Sequence, residues 1–153
     1  MNGGTMTTHI MYRSCTCGQR FASEGELARH QRTCLTYRQA VALKEVVEPL
    51  LVEVRRLDAE VDGIYVLLAQ AFREHTLGHL ADAKYNGEVA TERYQHLLLA
   101  LSDLGQAVAA AAKSRDALVN RVQSNLKDLI WRFDDLKSIL HAIRPVLSIR
   151  NGA

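Results

Sequence analysis

The chain has 153 residues, 48% hydrophobic and 24% charged, with a formal net charge of +2. This composition suits a folded domain, or a small module joined to a helical region, and argues against disorder. No uncharged apolar run reaches the roughly 18 residues of a membrane helix; the nearest, 96–112, is interrupted by Asp103 and Gln106, so no membrane association is expected.

The first nine residues, MNGGTMTTH, are small and polar and are expected to fray. Tyr12 to Phe21 reads as a short hairpin, and Ser23 is placed to cap a helix that starts near Glu24 and runs to about Arg32. All three cysteines fall in this region, and with His30 they read C-x-C-x12-H-x3-C. Structural Zn²⁺ takes four Cys or His ligands in a tetrahedron, and Cys15, Cys17, His30 and Cys34 supply four. Gly18 allows the tight turn that aims both thiolates inward. So short a stretch buries too little apolar area to fold alone, so the metal, one ion per chain, is expected to supply most of its folding free energy. An odd cysteine count with no signal peptide ahead of it disfavours a disulfide framework.

Tyr12, Cys17, Gly18, Phe21, Leu27, His30 and Cys34 stand at the spacing of the CCHH-type ββα zinc finger, in the variant whose last ligand is Cys, and residues 10–36 resemble that family. The family places its first Cys three before the second, which is Ser14 here; the available thiol is Cys15, so a bulge in the knuckle must bring it into the ligand's place. In family members that read DNA, the base-facing helix positions correspond to Ser23, Glu26 and Arg29. The resemblance then implies that Arg29 contacts guanine and Glu26 cytosine, with Arg20 and Arg32 on phosphates. Residues 1–40 carry Arg13, Arg20, Arg29, Arg32 and Arg38 against Glu24 and Glu26, a local excess of +3, so any attraction to nucleic acid lies here.

Beyond the finger the chain reads as helix. Residues 37–75 form a linker helix and a first bundle helix, with Pro49 expected to bend or restart it. Leu43, Val47, Leu50, Val54, Leu57, Val61, Ile64, Leu68 and Ala71 step by 4 and 3, a heptad seam. Val at a with Leu at d favours two strands, but Leu51, Tyr65, Leu67 and Phe72 widen the face towards a bundle. Residues 76–87 read as a loop ended by Asn86-Gly87. Within it and just before, His75 and His79 form an i, i+4 pair without a third ligand, the pattern of ordinary surface histidines.

Residues 88–145 read as one long second helix with Gly105 as its place to bend and Arg144-Pro145 as its end; the last residues, SIRNGA, are expected to fray. Leu97, Leu98, Leu101 and Leu104 begin a seam that slips in phase across the Ala-rich stretch from Val108 to Ala112, then continues as Val119, Val122, Leu126, Leu129, Phe133, Leu136, Leu140 and Ile143. Unbroken, the helix's proline-free stretch 88–143 spans about 84 Å, twice the length of the first. The surplus seam calls for another chain, and a homo-oligomer, most simply a dimer, is expected.

The sequence therefore predicts a predominantly all-α chain: a small N-terminal ββα finger followed by a coiled-coil or helical bundle. It has neither a nucleotide-binding loop, an activated nucleophile nor paired carboxylates in a pocket, so an enzyme with a small-molecule substrate is not expected. A structural or adaptor protein that binds protein partners fits most of the chain, with DNA binding through the finger as the alternative. The zinc-thiolate set points to a reducing, intracellular compartment, the cytoplasm foremost, with nucleus and host cell left open.

Overall fold

In a computed structural model the described residues are 12–113 and 116–149, so the expected fraying of residues 1–9 lies outside them. The chain is predominantly α-helical, as expected. Two-residue strands β1 (Arg13–Ser14) and β2 (Arg20–Phe21) precede helices α1 (Glu24–Thr33), α2 (Leu35–Thr76), α3 (Leu80–Ala111) and α4 (Ala117–Val146). The residues group into two compact units, one up to Val46 and one from Val47 onward.

In the first unit β1 and β2 pair antiparallel, with Arg13 opposite Phe21 and Ser14 opposite Arg20. Ser23 caps α1, its hydroxyl accepting from the Glu26 N–H at 3.2 Å. Glu24 and Glu26 in the first turn, and His30 and Arg32 in the last, complement the helix dipole. An ion pair between Arg13 and Glu24 ties the hairpin to the helix.

The second unit is a three-helix bundle. From Val47, α2 buries Leu51, Val54, Leu57, Val61, Ile64, Leu68 and Ala71. The seam is the expected one with a single shift: Leu51 is buried where Leu50 was expected, and Leu50 is half-buried. Pro49 lies within α2, and the helix does not restart there. Asp58 and Asp62 of α2 both pair with Arg132 of α4, and the Tyr65 hydroxyl donates to the Asp135 carboxylate at 2.7 Å. Partner numbers rise together, so α2 and α4 run parallel. Between α3 and α4, Tyr94 stacks on Phe133 at 4.6 Å, while Gly87 faces Leu147 and Ile149 just past the end of α4. There one number rises as the other falls, so α3 is antiparallel to α4.

Three boundaries differ from the sequence expectation. The expected loop over 76–87 is confined to Leu77–His79, where Gly78 adopts φ +80°, its N–H reaching the His75 carbonyl, and closes α2. α3 begins at Leu80 and runs through Asn86-Gly87, because Gly87 is a packing position rather than a stop. A Cβ there would lie 2.4 Å from Ile149 Cδ1 and 2.8 Å from Leu147 Cδ1. Burial against these side chains outweighs the local turn preference of Asn-Gly.

The expected helix over 88–145 is two helices. α3 continues past Gly105 to Ala111, and α4 starts at Ala117, where the Asp116 carboxylate caps it by accepting from the Leu118 N–H at 2.7 Å. The phase slip across Val108–Ala112 marks the end of a helix. With α3 and α4 of 32 and 30 residues, the second seam (Val119, Val122, Leu126, Leu129, Phe133, Leu136, Leu140) is buried inside a single chain.

Of the segment SIRNGA, expected to fray, Ser148 and Ile149 are described, with Ile149 packed, and residues 150–153 lie outside the described residues. Ser148 takes φ +54°, the Ile149 N–H donates to the Arg144 carbonyl at 3.0 Å, and Leu147 and Ile149 are buried with Ala71 and Ala83. Among the described residues no helix is long and apolar enough to cross a membrane.

Candidate metal centre

The hairpin turn of the first unit is built by its backbone. The Cys15 N–H donates to the Gln19 carbonyl at 2.8 Å, and the Gly18 N–H to the Cys15 carbonyl at 2.9 Å. Gly18 adopts φ +94°, a conformation a side chain would strain. This tight knuckle turns the thiols of Cys15 and Cys17 towards α1. From the other side come His30, in the last turn of α1, and Cys34, its C-cap, whose N–H donates to the His30 carbonyl at 2.9 Å.

The four ligand atoms lie within 4.8 Å of one another. Cys15 Sγ and Cys34 Sγ are 3.8 Å apart, and Cys17 Sγ and His30 Nε2 are 3.2 Å apart. A tetrahedral ion with metal–sulfur bonds of about 2.3 Å has sulfur–sulfur edges of about 3.8 Å and sulfur–nitrogen edges of about 3.6 Å. The first edge matches and the second is somewhat shorter, so the set is dimensioned for one metal ion. Cys15 and Cys34 are buried, His30 is half-buried and Cys17 is exposed. The Phe21 ring packs against the His30 imidazole at 4.8 Å, which fixes its orientation.

Backbone donors around the sulfurs favour their charged, ligating form. The Cys15 thiol is pulled down to about 7, first by the Cys17 N–H, against burial, with the Cys17, Cys34 and His30 side chains adding to the effect. The Cys17 thiol is raised: the Gln19 N–H lowers it, but desolvation and the neighbouring Cys15 and Cys34 thiols together outweigh that donor. Two sulfurs so close cannot both hold charge cheaply without a cation between them. The Tyr37 N–H also points at Cys34 Sγ, at 3.5 Å. Such outer donors tune a metal site as well as the thiols themselves.

The residues weighed for nucleic-acid contact are placed less uniformly. The Ser23 hydroxyl is engaged in capping α1. Glu26 and Arg29 are exposed on the same helix, and Arg20 and Arg32 are exposed on β2 and α1. Among the described residues, Arg20, Arg29 and Arg32 form no ion pair. The seam residues Leu57, Val61, Ile64, Leu68, Val122, Leu126, Leu129, Phe133, Leu136 and Leu140 are all buried in the bundle.

Two features escaped the sequence reading. The Arg13–Glu24 tie joins residues whose pairing depends on how the hairpin closes on α1. At the α2–α3 turn, His79 meets not His75 but Glu74, with Nδ1 2.7 Å from Oε2, and Asp82 stands close by. The i, i+4 spacing does not pair the two histidines, in line with their reading as ordinary surface residues, because Gly78 breaks the helix between them.

Comparison with known proteins finds no matching family, no matching curated protein and no matching solved structure.

Proposed function

We propose that the first unit is a zinc finger of the ββα kind, holding one Zn²⁺ through Cys15, Cys17, His30 and Cys34, in a protein whose role is structural or adaptor. The observation that carries this reading is the convergence of four thiol and imidazole ligand atoms within 4.8 Å. Three thiolates and one imidazole suit a borderline-soft ion without redox chemistry. Four protein ligands also leave no open coordination position, which favours a folding role for the ion over a catalytic one. The exposed face of α1 mixes Glu24 and Glu26 with Arg29 and Arg32, a pattern suited to a protein partner of mixed charge.

Cobalt substitution tests the metal. It should give the thiolate charge-transfer and tetrahedral d–d bands of a three-sulfur site, one ion per chain. If Cys15→Ser leaves stoichiometry and affinity unchanged, the C-x-C assignment is wrong.

A second reading, binding of nucleic acid through the finger, is favoured by the exposed guanidiniums of Arg20, Arg29 and Arg32, which form no ion pair among the described residues. One finger reads only about three base pairs, so binding would be weak and salt-dependent. Titration of random duplex DNA at low salt, with and without chelator, decides between the readings. Zinc-dependent binding that Arg20→Ala and Arg32→Ala both weaken, with a flatter salt slope, would favour DNA; no binding at low salt leaves the adaptor.

A further inference from the structure

The bundle carries a second concave feature that the finger does not explain. A groove of about 530 Å³ between α3 and α4 is lined by Tyr94 from α3 and by Asp134, Lys137, Ser138, His141 and Arg144 from α4. That volume falls in the range of small-molecule sites. The α4 residues recur at intervals of three and four, which puts them on one face of the helix.

The groove is unbalanced in charge and in hydrogen bonding. Lys137 and Arg144 are cationic, against the single acid Asp134. Among the described residues none of these groups forms an ion pair. Arg144 Nε is buried and has no hydrogen-bond partner. A buried donor on a charged group without an acceptor is costly, and native structures rarely keep one without a use.

Tyr94 adds a further donor. Its ring is held by stacking on Phe133, interplanar angle 8°, and its hydroxyl makes no hydrogen bond to a described residue. Burial, then the Asp134 charge, pushes its ionisation upward against the opposing effect of Arg144, so at neutral pH the hydroxyl keeps its proton and donates. Against these donors the groove sets one carboxylate, Asp134, and leaves a net positive charge. A guanidinium edge presents two parallel N–H donors that match the two oxygens of a carboxylate or phosphate.

We infer that this groove is a binding site for a small organic oxyanion, a carboxylate or a phosphate monoester, held by the Arg144 guanidinium with Lys137 and the Tyr94 hydroxyl. The anion would meet the part of the Arg144 guanidinium that lines the groove, together with Lys137 and Tyr94, and neutralise the surplus charge of this face of α4. Ser138 already donates to the Asp134 carbonyl at 3.2 Å, so it contributes as an acceptor or through a bifurcated bond only.

The test uses the zinc-loaded full chain, with benzoate, phenyl phosphate and inorganic phosphate as probes, followed by nitrogen–proton NMR. The Arg144 Nε–H, shielded from solvent, should give its own signal, and that signal and the backbone of 134–144 should shift saturably. Tighter binding of phenyl phosphate than of benzoate assigns the phosphate class, and the reverse the carboxylate class. Inorganic phosphate binding as tightly as phenyl phosphate places all recognition in the anion. Arg144→Gln, which removes a charge-assisted pair, should weaken binding about tenfold or more. Lys137→Gln should weaken it several-fold without changing the melting temperature. No saturable shift with any probe up to about 10 mM would overturn the proposal. So would equal affinity in a fully folded Arg144→Gln protein. Should that variant prove unstable, unchanged affinity in Lys137→Gln overturns it instead.

Discussion

The finger and the bundle are held together by different physics. In the first unit, among the described residues, only Cys15 and Cys34 are buried apolar side chains, and α1 buries none. From Val47 onward each helix buries a continuous seam, with Val47, Val61 and Leu136 fully inaccessible to solvent. In the first unit four candidate ligand atoms converge on one point, where the proposed ion would concentrate its cohesion; the bundle spreads its cohesion over more than twenty side chains, the larger of them contributing roughly 1.5–3 kcal/mol each on burial. The first arrangement is all-or-none in one ligand, whereas the second degrades by increments.

Metal removal should break the comparison most sharply. An ion in such a site contributes on the order of 10–16 kcal/mol to the fold around it. Chelation should therefore abolish the hairpin and α1 while most far-UV helicity persists. Loss of most of the helical signal would show that the bundle depends on the finger. Metal affinity should fall with falling pH, because three thiols and an imidazole must give up protons to ligate.

Phe133→Ala probes the other unit. It removes the ring that stacks on Tyr94 and should cost about 3–5 kcal/mol, read as a lower denaturation midpoint. Cobalt spectra of the finger should not change, and a coupled loss of the d–d bands would contradict the independence of the two units. Gly87→Leu is smaller. It overfills the contact with Leu147 and Ile149 and should cost about 1–3 kcal/mol, with the local signals of Leu147–Ile149 displaced. An unchanged melting temperature would mean that the segment after α4 does not dock there.

The mildest test is a titration. Tyr65 is pushed up to about 12, first by burial and then by its hydrogen bond to the Asp135 carboxylate. The folded value lies above the usual one near 10. The stability this contributes is therefore fully present below about pH 10 and is lost as pH rises towards 12. Ultraviolet titration should show Tyr65 and Tyr94 ionising late, and Tyr65→Phe should remove one of these late steps and leave the other. A Tyr65 that titrates normally in the wild type would mean that the α2–α4 contact is looser than drawn.

Much of the metal centre was legible because its determinants are local. The ligands lie between Cys15 and Cys34, and Gly18 and Ser23 announce the turn and the cap by residue type alone. The sequence could not say how Cys15, one residue past the position where the family has its first Cys, reaches the other candidate ligands. That depends on the backbone bonds Cys15–Gln19 and Gly18–Cys15, which form only when the knuckle closes. The α4 seam was likewise read correctly from spacing, because a 3 and 4 periodicity is a property of one helix by itself.

What the sequence determined, then, is what a single stretch of backbone can encode: the candidate ligand cluster, the Ser23 cap, the helical faces and the predominantly α composition. Only the tertiary structure decided where the helices end and how many there are. Asn86-Gly87 carries a local stop signal, but packing against Leu147 and Ile149 makes that glycine a helical contact. The long run 88–145 looks continuous until the chain turns between Ala111 and Ala117 to lay α4 against α3 and α2. A local preference is worth at most about 1 kcal/mol per residue, while burying one large side chain is worth two or three times that. Where the two compete the partner surface wins, and no single stretch of sequence contains its own partner.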